Sequence, residues 1–352
     1  MAAPTQPPAG DDAEPARPGP VDLDGPAVLA PDPRESERRR AAMPEPGRDY
    51  PRTWTEFCEL FPDDDACARY LERLSWPDGF VCPACGAVAR KPWRGSRRRL
   101  VCPSCEHQTT VTAGTLFQGT RTPLSCWFAA AWLIATAEQG ISARDLQRRL
   151  GLASYETAWT LLHRYRRAMV RSGRPRLSGV VEIGETWIGR RSLVALAVED
   201  RGAEPGRVRM QRMGTSGAAG QAAFLAWAVE PGAVVRTAHA GLGGPRERGD
   251  QPPPDRPGPR TAGRPPLAFV ELVARLLRSW LEGTHQGAAS PAQLDWYLDE
   301  FTFRFNRRWA THRGLLFYRL VEEALVTPPL PYEAITVARP SPTGPRGLEP
   351  RG

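Results

Sequence analysis

Long apolar runs are missing: no stretch of 18 apolar residues occurs among the 352, and a membrane-crossing helix needs about that many. The N-terminus does not join a basic segment to an apolar one, so neither export nor a membrane partner is expected. The expected location is the cytoplasm. Lysine is almost absent, Lys91 being the only one among 47 basic residues. Two explanations of the arginine bias stay open, a GC-rich genome and a need for planar forks that suit phosphate and guanine. No internal repeat is visible.

Proline and glycine, by contrast, are plentiful, at 37 and 33 residues. Much of both lies in residues 1–50 and 243–266, which have no apolar period and are expected to be disordered. Residues 336–352 are read as a second disordered tail. The foldable chain is then 51–240 plus 267–335. The net charge is +8, and the first fifty residues hold ten acids against six arginines, which leaves +12 for the rest. A basic body of this kind suits a polyanionic partner.

Seven cysteines, an odd number, include Cys82, Cys85, Cys102 and Cys105 in the pattern C-x2-C-x16-C-x2-C. That spacing fits a four-thiolate Zn2+ ribbon over 81–110. Each pair sits on a tight knuckle, "CPAC" followed by Gly86 and "CPSC". Four sulfurs leave no open position for water, so the metal would be structural. Cys58, Cys67 and Cys126 have no partner by spacing. The hairpin between the pairs holds Arg90, Lys91, Arg94, Arg97, Arg98 and Arg99 with no acid. It is either a solvated loop or, as six uncompensated charges suggest, a phosphate-facing one.

Ahead of the ribbon, 51–80 reads as a helical lead-in with apolar spots at Trp54, Phe57, Leu60, Tyr70, Leu71 and Leu74. After it, "LSCWFAAAWLIATAEQG" is a buried helix ending at Gly140. Within 120–172, Ser142 caps a helix to about Leu150 and Ser154 caps another to about Met169, which is helix-turn-helix spacing. Leu146, Leu150, Leu152, Ala158, Leu161, Leu162 and Tyr165 form its expected core. Arg148, Arg149, Arg164, Arg166 and Arg167 are expected outside, free to meet DNA.

From 178 the period becomes that of strands, "GVVEIGETWIG", "SLVALAVED" and "RVRMQRM", an expected antiparallel meander. A helix over about 218–229, a strand over 233–238, and two helices after 266 complete the order.

These motifs together, with "TVTAGTLFQGTRTPLSCW", "LSGVVEIGETWIG" and "YLDEFTFRFNRR", resemble the zinc-ribbon transposases of bacterial insertion sequences over about 51–335. The resemblance implies an α+β protein: an N-terminal zinc ribbon and helix-turn-helix, then a ribonuclease-H-like domain (178–335) with a mixed sheet and flanking helices. It implies double-stranded DNA at element ends as partner, a homodimer or higher multimer, and two Mg2+ or Mn2+ ions held by three acids for strand cleavage and transfer. Where the family has its first two aspartates this chain has Gly184 and Ala238, and the third position matches Glu271.

The implied member is therefore degenerate, with impaired cleavage, since neither glycine nor alanine supplies an oxygen to bridge two cations. Glu182, on the same strand face as Gly184, stays open as a substitute ligand. His239 is either a ligand or a turn residue. Glu271 is either a ligand or part of a solvated stripe with Arg275 and Arg278. The arginine-rich "FRFNRRWATHR" either touches phosphate or ends a helix in solvent. A repressor-like DNA-binding protein without cleavage and a zinc-ribbon protein-interaction module are the other functional readings.

Overall fold

The computed structural model describes residues 44–89, 92–170, 175–189, 192–214, 218–237, 267–285, 290, 293–310 and 312–336. Residues 1–43 and 337–352 of the expected tails, the insert 243–266, Arg90, Lys91, Ala238 and His239 lie outside the described residues, whereas residues 44–50, expected to be disordered, are packed: Tyr50 is 3% exposed and the Tyr70 hydroxyl donates to the Asp49 carbonyl.

Helices α1 (Trp54–Leu60) and α2 (Asp64–Ser75) each start on a side-chain cap. Thr53 accepts from the Glu56 N–H, and Asp63 accepts from the Ala66 N–H, satisfying donors that a helix start leaves open. Five two-residue strands follow, β1 (Phe80–Val81), β2 (Val88–Ala89), β3 (Trp93–Arg94), β4 (Leu100–Val101) and β5 (Gln108–Thr109), with β1 paired to β2 and β4 lying between β3 and β5. Helix α3 (Leu124–Thr136) is apolar all round, and such a helix must be buried. Trp127, Phe128, Ala130 and Ala131 are fully covered. Ser142 caps α4 (Ala143–Leu150), Gly151 ends it in the left-handed conformation, and Ser154 caps α5 (Tyr155–Ala168).

A four-stranded sheet has the order β8-β7-β6-β9. Strands β6 (Val180–Ile188), β7 (Ser192–Asp200) and β8 (Pro205–Met213) form an antiparallel meander, and β9 (Val234–Thr237) runs parallel to β6 with Thr237 beside Ile183. The run "SLVALAVED" is apolar without alternation because both faces of β7 are covered. Leu196 and Val198 meet α7 (Ala268–His285) and α8 (Leu294–Phe305), whereas Ala195 and Ala197 meet Phe224 of α6 (Ala218–Ala228).

Two helices after residue 310 carry no counterpart in the sequence reading, α9 (Arg313–Val326) and α10 (Tyr332–Thr336). Leu316, Phe317, Leu320, Val321 and Ala324 of α9 join the same apolar cluster as Phe57, Phe61, Tyr70 and Phe128. The Phe317 ring lies within ring-contact distance of five aromatics from α1, α2, α3 and the turn between the first two. The stretch 178–335 is therefore not closed on itself. Its last long helix completes the helical core begun at residue 54.

The "FNRR" end of α8 packs against β8. The Asn306 amide accepts from the Val208 N–H at 2.7 Å and donates to the Val208 carbonyl at 3.1 Å, as a neighbouring strand would. Arg308 donates to the carbonyls of Gly206 and Pro205. Together they cover the outer edge of β8 from Pro205 to Val208, which would otherwise offer unpaired backbone to another chain.

Candidate metal centre and nucleic-acid interface

The four cysteine sulfurs lie within 4.8 Å of one another. The Cys82–Cys105 and Cys85–Cys102 Sγ pairs are each 3.7 Å apart. Tetrahedral Zn2+ with bonds of about 2.3 Å puts its sulfurs roughly 3.8 Å apart, so the cluster has the size the ion requires. Two matched knuckles hold it. The Cys82 N–H donates to the Ala87 carbonyl and the Gly86 N–H to the Cys82 carbonyl; Cys102, His107 and Glu106 repeat both bonds. Gly86 has φ +72, while its counterpart Glu106 takes φ +58 without being glycine, an uncommon and costly choice.

Burial pushes the Cys102 thiol up, but the N–H groups of Ser104 and Cys105 outweigh it and bring it down to about 6. Cys105 feels the His107 N–H downward, yet the other three sulfurs carry it up to about 12. Four thiolates cannot share this space without a cation. Among the described residues, the buried apolar support of the cluster is Phe80, Leu100 and the two inner cysteines, with Trp76, Ala87 and Ala89 partly buried against them. A core that small needs its metal.

Within the basic hairpin Arg94 and Arg98 are compensated, contrary to expectation, and the acids come from α2. Arg94 pairs with Glu72 at 2.7 Å, and Arg98 pairs with Asp65 at 2.5 Å and Asp64 at 3.6 Å. Arg99 donates to Gln108. Arg97 belongs to a short 3-10 turn over Ser96–Arg98.

Among the helical arginines, Arg148 is exposed and pairs with Asp145, and Arg149 is exposed with no carboxylate partner among the described residues. Arg164 and Arg167 are half-buried. Burial lowers the Arg164 guanidinium, which donates to the Leu330 carbonyl and lies over the Trp127 ring.

Arg166, expected outside, is 1% exposed and pairs at 2.8 Å with Glu300, which is fully buried. The cause is α8, which covers this side of α5. Arg166 also lies 4.1 Å from the Tyr297 ring centre and donates to His163. Arg304 takes the other Glu300 oxygen at 2.9 Å and donates to the Ala137 and Ile134 carbonyls at the end of α3. Burial would push Glu300 up, but Arg166 and Arg304 bring its carboxyl down to about 2. Burial lowers His163 to about 2 and His285 to about 4, and Arg166 acts the same way on both. Sequence reading missed this cluster, although an acid and an arginine four apart in "EFTFR", flanked by aromatics, was the available signal.

Of the three acid positions, Gly184 and Glu271 lie among the described residues and Ala238 does not. Gly184 faces α7, where an added Cβ would lie 2.7 Å from Val270 Cγ1. Glu182 is 1% exposed, and its Oε2 accepts the Phe269 and Val270 N–H groups at 2.8 and 3.1 Å. Glu185, on the opposite face of β6, accepts from Gln221 of α6. Glu271 is exposed. Among the described residues, the cysteine quartet is the one group of three or more His, Cys, Asp or Glu placed to share an ion.

Fold and site thus define an α+β protein with a four-cysteine ribbon ahead of a mixed sheet, and no helix of the described residues is long and apolar enough to cross a membrane. Residues 62–108 match the family described as the transposase zinc-ribbon domain. An uncharacterized protein in transposable element ISH50 of Halobacterium salinarum is 28% identical over 132 residues, 37% of this chain and 44% of that protein. The match therefore spans less than half of that relative. No solved structure matches the chain. The chain carries a transposase-type zinc ribbon and resembles the zinc-ribbon transposases of insertion sequences.

Proposed function

We propose that this chain is a transposase-like protein that binds the DNA ends of an insertion element through the ribbon and the α4–α5 pair, with strand cleavage and transfer weak or absent. The match of residues 62–108 to the transposase zinc-ribbon domain carries this reading, and the sulfur cluster of the right size supports it.

The α4–α5 pair acts as a helix-turn-helix in this account. Its second helix presents Tyr155 and Glu156 at an exposed N-terminal turn, the end of a recognition helix that reaches base edges. Arg149, exposed on α4, supplies a cation for the phosphate backbone. The sheet domain acts as a ribonuclease-H-like domain in this account, a reading supported by three antiparallel strands with a fourth parallel to the first. Multimers and Mg2+ or Mn2+ belong to the family expectation. The missing acids at 184 and 238 favour the reading without cleavage, a protein that occupies element ends as a repressor would.

Gel shifts with end-containing and scrambled duplexes test the proposal. Preference for the ends, with affinity falling steeply as salt rises, is expected. Arg149→Ala should weaken binding to both duplexes and reduce the salt slope by about 1. Binding that ignores salt and sequence would instead favour a protein-interaction module.

A further inference from the structure

We infer that the first acid position of β6 is a filled helix-docking socket, not a vacant half of a cation site, and that Glu182 is the positioning residue that seats α7 in it. The inference rests on the transposase-like reading for the identity of that position. Its geometry stands apart from DNA binding.

Side chains 182, 184 and 186 of β6 share one face, and each meets α7. Glu182 takes the Phe269 and Val270 N–H groups, two of the roughly four that a helix start leaves without partners. A carboxylate there also faces the positive end of the helix dipole. Gly184 receives Val270, whose side chain is 5% exposed. Thr186 accepts from Arg278, two turns further along.

The contact at 184 requires glycine. A Cβ at 2.7 Å from Val270 Cγ1 is closer than real side chains approach. Valine on a helix has essentially one rotamer, and its backbone N–H is held by Glu182, so it cannot swing aside. Room for any side chain at 184 means lifting the start of α7 away from Glu182. The two divalent ions of the family do not fit this arrangement. The Glu182 oxygen facing the socket is already engaged, Gly184 offers none, and Glu271, one residue past the seated valine, is exposed. Restoring aspartate at 184 would therefore break the α7 seat without completing a site.

The test uses the full-length, zinc-loaded protein. Thermal melts are recorded for Gly184→Ala, Val270→Ala and the double variant, with Mn2+ binding followed by electron paramagnetic resonance for the parent, Glu182→Gln and Gly184→Asp. Gly184→Ala should lower the melting midpoint by several degrees. Val270→Ala should cost clearly less in that background than alone, since it removes the atom the new methyl meets. None of the three proteins titrated should hold Mn2+ at the sheet. Additive melts, or Mn2+ bound by the parent and lost in Glu182→Gln, would overturn the inference. Gel shifts on the same preparations judge the DNA reading separately, so failure of one leaves the other standing.

Discussion

Replacing Glu300 by glutamine strikes the point where helical core and sheet meet. The carboxylate is fully buried between Arg166, itself 1% exposed, and Arg304. Glutamine keeps the shape and one acceptor oxygen but removes the charge that two guanidinium groups share. Breaking a buried pair in this way costs about 3–5 kcal/mol, mostly because a charge stays out of water without its counter-ion. Loss of a neutral hydrogen bond alone would cost about 1 kcal/mol, so the two accounts are well separated. Urea unfolding near neutral pH in zinc-containing buffer, followed by tryptophan fluorescence and circular dichroism, measures the difference. Arg166→Met added to Glu300→Gln should recover part of the loss, because it withdraws the stranded cation. A Glu300→Gln protein within about 1 kcal/mol of the parent would refute the argument; so would a double variant less stable than the single one.

Acid should loosen the same junction. His163 and His285 have folded values of about 2 and about 4, below the ordinary value near 6.5, so the unfolded chain takes up protons first. Stability should fall as pH drops from about 6.5 to 4, by up to about 2.7 kcal/mol per pH unit for the two together, and His285→Phe should flatten that slope in unfolding curves. The Glu300 contribution, present above the ordinary carboxylate value, should fade only as pH falls from about 4.5 toward 2. At the knuckles, Glu106→Gly should strengthen zinc retention against a chelator by about 1 kcal/mol, and Gly86→Ala, with nothing within 4 Å of the new carbon, should weaken it by a similar amount. Asn306→Leu should cost about 2–4 kcal/mol by stranding the Val208 N–H and carbonyl, and light scattering should show association through the opened β8 edge.

Local signals in the sequence reached the elements they govern. Ser142 and Ser154 announce the two helices they cap, the cysteine spacing announces the metal cluster, and the change to strand periodicity at 178 announces the meander. What stayed hidden depends on partners distant in the chain. Arg94 and Arg98 look uncompensated within the hairpin because their acids, Glu72, Asp64 and Asp65, precede the first cysteine pair. Arg166 sits on a helix whose other arginines are less buried, and only α8, 134 residues on, covers it. Spacing 316, 317, 320, 321, 324 was present as a helical stripe, but nothing local says that it packs against α3. Gly184 reads as a missing acid. Its tight contact with Val270 becomes visible only when α7 lies across β6.

Removal of zinc should divide the molecule unevenly, and the reason lies in the relative size of two sets of contacts. The ribbon touches α2 through the exposed arginines of Arg94–Glu72, Arg98–Asp65 and Arg98–Asp64, pairs that contribute about 0–1 kcal/mol each, and through the ring contact of the cap residue Trp76 with Phe80, worth about 0.5–1.5 kcal/mol beyond its area. Helix α2 itself is held by Cys67, Ala68, Tyr70 and Leu71 in the large aromatic cluster with Phe128 and Phe317. Zinc in comparable small domains is worth on the order of 10 to 16 kcal/mol, far more than a four-residue core supplies. Chelation should therefore melt residues 80–109 while leaving α2 and α3 folded. In hydrogen exchange, the amides of Cys82, Gly86, Cys102 and Glu106 should lose protection, and those of Trp127 to Ala135 should keep it. If α3 exchanged in step with the knuckles, the metal would be supporting the helical core as well, and the separation argued from these contacts would be wrong.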